Sequence, residues 1–293
     1  YVSNFVDASN ADEDKYPLEL LLCNEKDGGC GLLQLKHTVS NEIMYRNYWY
    51  RSGTNQTMTE ALAEIAKTAS SIRPLAPTDY VLDIGCNDGT LLRGYGDKLS
   101  KVGFEPAKNL IPIAELSALK VINDFFNKEA WDREFPSQKS KIITAIAMFY
   151  DLDDPNQFVS DIAYCLDQDG IFIIQMSYLP SMLSQNAFDN ICHEHLEYYS
   201  LLSLENLLKR HHLSVFDVEL NDVNGGSFRI YIKHENGGTG IEKKSGADQR
   251  LESLRKSERA LGLDDKKVYD EFVDRVEKIK KETVDFIKQE AAN

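Results

Sequence analysis

One stretch limits the folds open to this chain more than any other: Val81-Leu82-Asp83-Ile84-Gly85-Cys86-Asn87-Asp88-Gly89-Thr90-Leu91-Leu92. An apolar run enters a turn with two glycines and leaves it as an amphipathic helix. A strand, turn and helix of this kind open a doubly wound α/β sheet, whose ligands sit at the carboxyl ends of the strands. Gly85 is expected to let the backbone approach a ligand closely, and Gly89 to let the helix start tight against the sheet. Short apolar runs at residues 80–84, 101–104, 119–122, 142–148 and 170–176 alternate with helical stretches, which reads as βαβ units around a parallel sheet. After a helical run at 204–209, two β-rich runs at 214–220 and 227–234 flank Asn221-Asp222-Val223-Asn224-Gly225-Gly226, a turn that predicts an antiparallel hairpin. The fold expected is therefore Rossmann-like α/β, mostly parallel with a terminal antiparallel hairpin, which is the variant seen in class I methyltransferases rather than in dinucleotide enzymes.

Flanking segments divide the chain further. Residues 1–56 form a small N-terminal lobe in which Cys23 and Cys30 bracket a knuckle between two short strands. Residues 57–240 make the central domain, opened by a helix on which Leu62, Ile65, Ala66 and Ala69 recur at helical spacing until Pro74 and Pro77 stop it. Residues 241–293 carry Leu251, Leu254, Leu261, Val268, Phe272, Val276, Ile279 and Ile287 among charges, so one or two long amphipathic helices are expected, with a packed or oligomer-forming face.

Composition narrows the function. A net charge of -14 and a pI near 4.9 disfavour a nucleic-acid partner, because such proteins cluster Lys and Arg to neutralise phosphates. No apolar run approaches the roughly 20 residues that cross a bilayer, and no signal segment opens the chain, so a cytoplasmic enzyme for small molecules is expected. Five scattered cysteines read as reduced thiols or a metal pair rather than a disulfide framework. The first residue is Tyr1, so the sequence reads as a fragment or trimmed chain.

Two acids decide which cofactor the glycine turn serves. Asp83 ends the first strand, where a carboxylate would repel a pyrophosphate but suits S-adenosylmethionine, which carries a sulfonium and an ammonium and no phosphate. Glu105, in Val102-Gly103-Phe104-Glu105-Pro106, ends the next strand about 20 residues on, the position that accepts hydrogen bonds from ribose hydroxyls. The turn residues Cys86 and Asn87, together with Pro106, complete that end of the expected site. Asn123-Asp124-Phe125-Phe126 follows the third strand and offers Asp124 for the adenine amine and two rings for its faces, although core packing would equally explain Phe125 and Phe126. Met148-Phe149-Tyr150-Asp151 ends the fourth strand, where the sulfonium and methyl should sit, with Met148 and Tyr150 favoured over Asp151 as contacts.

His193-Glu194-His195 is the other segment that could carry chemistry. A zinc-protease helix needs its second histidine four residues after the first, and that position is Glu197. Three readings stay open: a metal site on His193 and His195, two histidines merely hydrogen-bonded in a loop, and a general base.

The chain resembles the sugar C-methyltransferases that act on nucleotide-linked 4-keto deoxysugars. The resemblance rests on Asp83 to Leu92, Asp124-Phe125-Phe126, the run from Tyr150 to Pro155, the run from Phe188 to Ser200 that contains His193-Glu194-His195, and Asn224-Gly225-Gly226-Ser227. It implies three parts, namely a zinc lobe, the cofactor domain and a last Rossmann-like domain, with this chain lacking the first cysteine pair and the last domain. It also selects His195 over His193 as the base that removes the proton beside the keto group. Glu194 is then expected to orient a ring or contact the sugar, and Tyr198 or Tyr199 to donate to the enolate oxygen. Many relatives carry Tyr at Cys192 and near Thr54, which leaves the particular sugar open. Cys23 and Cys30 resemble half of the family's four-thiolate zinc site, and with only His37 as a third candidate a vacant or weak site is expected. The rival functions are an O- or N-methyltransferase for a small metabolite and a non-catalytic module that binds S-adenosylmethionine.

Overall fold

The computed structural model describes residues 15–292. In chain order they form β1 (Leu20–Leu22), β2 (Leu33–Leu35), α1 (Asn41–Tyr45), α2 (Gln56–Ile72), β3 (Tyr80–Ile84), α3 (Thr90–Arg93), β4 (Ser100–Phe104), α4 (Ile111–Ala114), β5 (Lys120–Ile122), α5 (Lys128–Glu134), β6 (Ser140–Ile146), α6 (Pro155–Cys165), β7 (Leu166–Ser177), α7 (Leu179–Gln185), β8 (Glu197–Tyr198), α8 (Leu201–Lys209), β9 (Leu213–Asn221), β10 (Ser227–His234), α9 (Ala247–Leu261) and α10 (Lys266–Ala291).

Seven strands pair in the order β5-β4-β3-β6-β7-β10-β9. Pairings from β5 through β7 are parallel, and β10 lies antiparallel to both β7 and β9. Relative to the six-stranded dinucleotide fold, a reversed strand has been inserted next to the last one. The strands at the centre are apolar on both faces, as burial under two helix layers requires. Leu82, Ile143, Phe172 and Ile174 face Trp131 of α5, Val159 and Ile162 of α6 and Leu204 of α8. Their neighbours Val81, Ile142, Ile171 and Ile173 face Leu62, Ile65, Ala66 and Ala69 of α2. This alternation is the period-two pattern of a strand. Asn55 caps α2 by accepting from the Met58 N–H, and the helix ends at Ile72, just before Pro74.

A second sheet, β1-β2-β8, is antiparallel and joins the N-terminal strands to Glu197 and Tyr198. It packs with α7 and with Leu263 and Phe272 into a small separate core. One local expectation needs correcting. Gly89 has φ +75°, and a Cβ there would come within 3.1 Å of the Ala114 carbonyl and of Ser117, so the glycine makes room for the end of α4 rather than for the sheet. No helix among the described residues is long and apolar enough to cross a membrane.

Candidate functional site

The glycine turn sits where β3 meets the ends of β4 and β6. Gly85 (φ +68°) and Cys86 both donate to the Phe104 carbonyl, at 2.9 and 3.0 Å, which folds the turn onto the end of β4. Glu105 then accepts from the N–H of Asn87 and the N–H of Ala107, each at 2.8 Å and on different carboxyl oxygens. Burial pushes the Glu105 carboxyl up while those two N–H groups pull it down. Each oxygen keeps a second lone pair for a ligand hydroxyl. Asp83 lies beneath the turn rather than on the cavity wall: Thr144 donates to it at 2.6 Å, and burial pushes its carboxyl up to about 7. The Cys86 side chain is likewise buried, packed under Gly103, and burial drives its thiol up.

A cavity of about 410 Å³ opens over this turn, within the range of small-ligand sites. Gly85, Asn87, Glu105 and Pro106 floor one end, Asp124, Phe125 and Phe126 wall it, and Met148, Tyr150 and Asp151 close the other end. Asp124 holds Arg46 at 3.1 Å and accepts from the Phe125 N–H, and the Arg46 guanidinium lies 4.6 Å above the Phe125 ring. Phe126 packs edge-on against Phe104 and Phe158. Among the described residues the lining carries three acids, Glu105, Asp124 and Asp151, and no lysine or arginine. That set of acceptors fits a cationic adenosyl ligand without phosphates.

Sequence reasoning missed the opposite wall. Tyr45, Tyr48, Tyr50 and Ser52 line the cavity from the N-terminal side. Asn87 fixes this segment by accepting from the Ser52 N–H and donating to the Tyr50 carbonyl, each at 3.0 Å, and Asp88 accepts from the Gly53 N–H at 2.9 Å. Two polar residues inside the glycine turn were the available signal, although both also serve the turn: Asn87 takes its left-handed position (φ +52°) and Asp88 accepts from the Thr90 N–H and hydroxyl.

The His-Glu-His segment comes to the Tyr150 end of the cavity from behind. His195 Nδ1 lies 2.8 Å from the Asn190 carbonyl, an acceptor only, so this nitrogen bears the proton and Nε2 keeps its lone pair. The imidazole ring meets the Tyr150 ring edge-on at 4.5 Å, and burial lowers its pKa. His195 lines a small space shared with Tyr150, Ser177, Asn190 and Tyr198, so Tyr150 is common to both cavities. His193 Nε2 instead lies 2.9 Å from the Tyr16 carbonyl, tying in the N-terminal segment. Glu194 is buried, and its carbonyl accepts from the Tyr45 hydroxyl at 3.2 Å. Tyr199 is not brought to either cavity; its hydroxyl donates to Glu197 at 2.9 Å and its ring packs on Phe149.

Cys23 and Cys30 face each other, with the Cys30 N–H 3.3 Å from the Cys23 sulfur, while His37 pairs with Glu19 at 3.6 Å. Among the described residues no three His, Cys, Asp or Glu side chains gather to hold a metal, so they do not fit the four ligands of structural zinc. A larger cleft of about 920 Å³ lies beside Cys30, Arg210 and Arg255, away from the glycine turn.

Residues 50–218 match the methyltransferase-domain family, and residues 222–293 match the C-methyltransferase C-terminal domain family. The C-methyltransferase NovU of Streptomyces niveus is 28% identical over 224 residues, which cover 75% of this chain and 52% of that protein. The chain thus spans about half the length of the curated relative it matches. Similar solved structures include a chain from the Haloferax volcanii complex between the Trm112 methyltransferase activator and a methyltransferase (16% identity, TM-score 0.49, covering 62% of this chain and 94% of that one). An S-adenosylmethionine-dependent methyltransferase of Clostridium acetobutylicum is 14% identical with a TM-score of 0.47, covering 60% and 92%. With its family match spanning the glycine turn, Glu105 and the parallel strands β3 to β7, the chain belongs to the methyltransferase-domain family.

Proposed function

We propose that this protein methylates carbon beside the keto group of a nucleoside-diphosphate-linked 4-keto deoxysugar, with His195 as the base. The observation that carries the proposal is the state of the His195 ring. Its Nδ1–H is committed to the Asn190 carbonyl, its burial keeps it neutral at working pH, and its Nε2 is left basic beside Tyr150. A carbon acid next to a carbonyl needs such a group, whereas a phenol or amine acceptor has weaker need of one. The match of residues 222–293 and the name of the Streptomyces relative support carbon as the acceptor.

When bound, S-adenosylmethionine supplies an electrophilic methyl group. The residues of this chain do the rest. Glu105 and Asp124 are the acceptors for ribose hydroxyls and the adenine amine, and Phe125 and Phe126 supply apolar walls. Tyr150 stands between His195 and the main cavity and lines both spaces, so its side chain must turn aside for the acceptor carbon to meet both the base and the methyl group.

His195→Asn is expected to bind cofactor normally by calorimetry but to lose both methyl transfer and exchange of the substrate hydrogen with deuterated solvent, by about 10²- to 10⁴-fold. Exchange that survives in His195→Asn and vanishes in His193→Asn would hand the role to the other histidine. Methyl transfer by the wild type with no exchange at all would point to oxygen or nitrogen as the acceptor.

A further inference from the structure

One wall of the main cavity is made by residues 45–53, which bring Tyr45, Tyr48, Tyr50 and Ser52 onto it from the N-terminal side. Between the end of α1 at Tyr45 and the start of α2 at Gln56 this stretch holds only a single 3₁₀ turn, Ser52–Thr54. None of its side chains belongs to the hydrophobic clusters formed by the described residues, and Trp49 is 58% exposed. What holds the stretch down is polar and comes at separate points. Arg46 pairs with Asp124 and lies over the Phe125 ring. Asn109 takes both main-chain groups of Tyr48, accepting from its N–H at 3.1 Å and donating to its carbonyl at 2.7 Å. Asn87 does the same across Tyr50 and Ser52, and Asp88 accepts from the Gly53 N–H. At Gly53 the approach is so close that a Cβ would stand 2.8 Å from Asp88 Oδ2 and 2.9 Å from Thr90 Oγ1.

We propose that residues 45–53 are a strap that lifts to let S-adenosylmethionine in and out and latches over it through Asn87, Asp88 and Asn109. The inference rests on S-adenosylmethionine as the ligand of this cavity and not on which atom receives the methyl group. A segment with little buried apolar surface and a handful of surface hydrogen bonds opens at far lower cost than a packed core. Its flanks are firm by contrast. Met44 is buried, and α2 packs Leu62, Ile65, Ala66 and Ala69 onto the sheet, so the movement is confined to the stretch between them. The facing wall is fixed as well, because Gly85, Glu105 and Met148 follow directly on β3, β4 and β6 of the central sheet.

Latch and cofactor share one turn. The Asn87 N–H donates to Glu105, the acid placed for the ribose, while the Asn87 side chain holds the strap. A ligand held at Glu105 therefore steadies the residue that keeps the strap down. Tyr45 reaches the Glu194 carbonyl, one position before His195, so a lowered strap also braces the segment that carries the proposed base. Closure of this kind shields a reactive methyl donor from water until transfer.

The geometry gives the strap a kinetic signature. Asn109 bonds the strap and does not line the cavity, so its two hydrogen bonds form with the strap down whether or not cofactor lies beneath. Their loss favours the raised state equally in the free and the loaded chain. Entry and exit then quicken together while affinity stays nearly constant. A fixed wall would change neither rate, and a wall that only grips the cofactor would change exit alone.

Stopped-flow fluorescence of the full chain with S-adenosylmethionine measures both rates, because Trp49 rides on the strap while Trp131, the other tryptophan, is sealed in the core. In Asn109→Ala, association and dissociation should both rise about tenfold, with Kd within about threefold of wild type. Gly53→Ala, which wedges a methyl group into the other latch, should move both rates in the same direction. Amide exchange followed by mass spectrometry should show residues 46–53 opening faster than β3 and β6 in the free chain, and slowed about tenfold or more by saturating S-adenosylmethionine. Asn109 is exposed and its side chain bonds only Tyr48 among the described residues, so its replacement leaves the fold intact, as an unchanged circular dichroism spectrum would show. Unchanged rates in either variant overturn the proposal, as does dissociation that rises without association, or strap exchange that the cofactor leaves unaltered. A chain that binds no S-adenosylmethionine removes the cofactor assignment and the strap together. A chain that binds it, with residues 46–53 already as protected as β3, removes the strap alone.

Discussion

Glu105 is held by main-chain N–H groups alone, from Asn87 and Ala107, so the carboxylate is aimed before any ligand arrives. In the function proposed above its remaining lone pairs would accept from the cofactor ribose, and hydrogen bonds to a charged group are worth about 1.5 to 3 kcal/mol each. Glu105→Ala should weaken S-adenosylmethionine by one or two such bonds, and unchanged calorimetric affinity would remove the assignment. Glu105 and Asp124 were legible in the sequence because each follows an apolar strand, where side chains reach the carboxyl edge of the sheet. Tyr45 and Ser52 were not, because the segment that carries them has no strand or helix period from which to place it. Tyr199 shows a different limit. Neighbouring residues of an extended segment point to opposite faces, and nothing local told which of Tyr198 and Tyr199 would turn inward onto Glu197. Gly89 was read correctly as a close approach but assigned the wrong neighbour, since the contact at Ala114 and Ser117 depends on how α4 returns.

At the scale of elements, the sequence showed where the C-terminal helices lie but not how they dock. α9 is fixed to β9 by Arg250, whose guanidinium reaches both carboxyl oxygens of the fully buried Asp217 at 2.7 to 2.9 Å. On the same helix, buried Glu258 accepts from the N–H groups of Leu201 and Leu202 at the start of α8 and from the Tyr178 hydroxyl. Sequence periodicity marks apolar stripes, and polar anchors of this kind depend on partners far along the chain. The ion pair is lopsided, because the Arg250 side chain is 35% exposed and Asp217 is sealed. Loss of the arginine strands a buried carboxylate, whereas loss of the carboxylate charge lets the guanidinium turn to water. Arg250→Ala should therefore cost about 3 to 5 kcal/mol in urea unfolding, and Asp217→Asn distinctly less. Equal losses would show that the carboxylate is not isolated by the missing arginine.

For the whole molecule, acids that burial raises, Asp83 and Glu197 together with Glu105, Asp151 and Glu258, shape the pH dependence of stability. Burial raises Asp83 to about 7 and Glu197 to about 8, so the folded chain keeps protons that the unfolded chain releases near pH 4. Their contribution is fully present below that range, is lost as pH rises through 7 and 8, and is flat above, with Asp83 alone accounting for roughly 4 kcal/mol at most. The charge of -14 acts in the same direction by self-repulsion. Acids held low by partners, such as Asp167 and Glu219, act only in the more acid range. Thermal midpoints should fall between pH 5 and pH 8, and the slope should be shallower in Asp83→Asn; a rising midpoint would contradict the burial of these groups as protonated acids. The mostly parallel sheet with its antiparallel hairpin was legible, because the run of parallel units and the Gly-rich turn each announce themselves locally, as do the two short strands flanking Cys23 and Cys30, whereas the addition of β8 to them was not. The small sheet β1-β2-β8 also bears on synthesis. Tyr45 and Glu194 meet across 149 positions, and His193 and Tyr16 across 177. At ribosomal rates, the N-terminal wall of the cavity waits on the order of ten seconds or more for the residues that secure it. Throughout that interval β2 presents an open edge, the kind of surface other chains can pair with, until Glu197 and Tyr198 emerge to cover it.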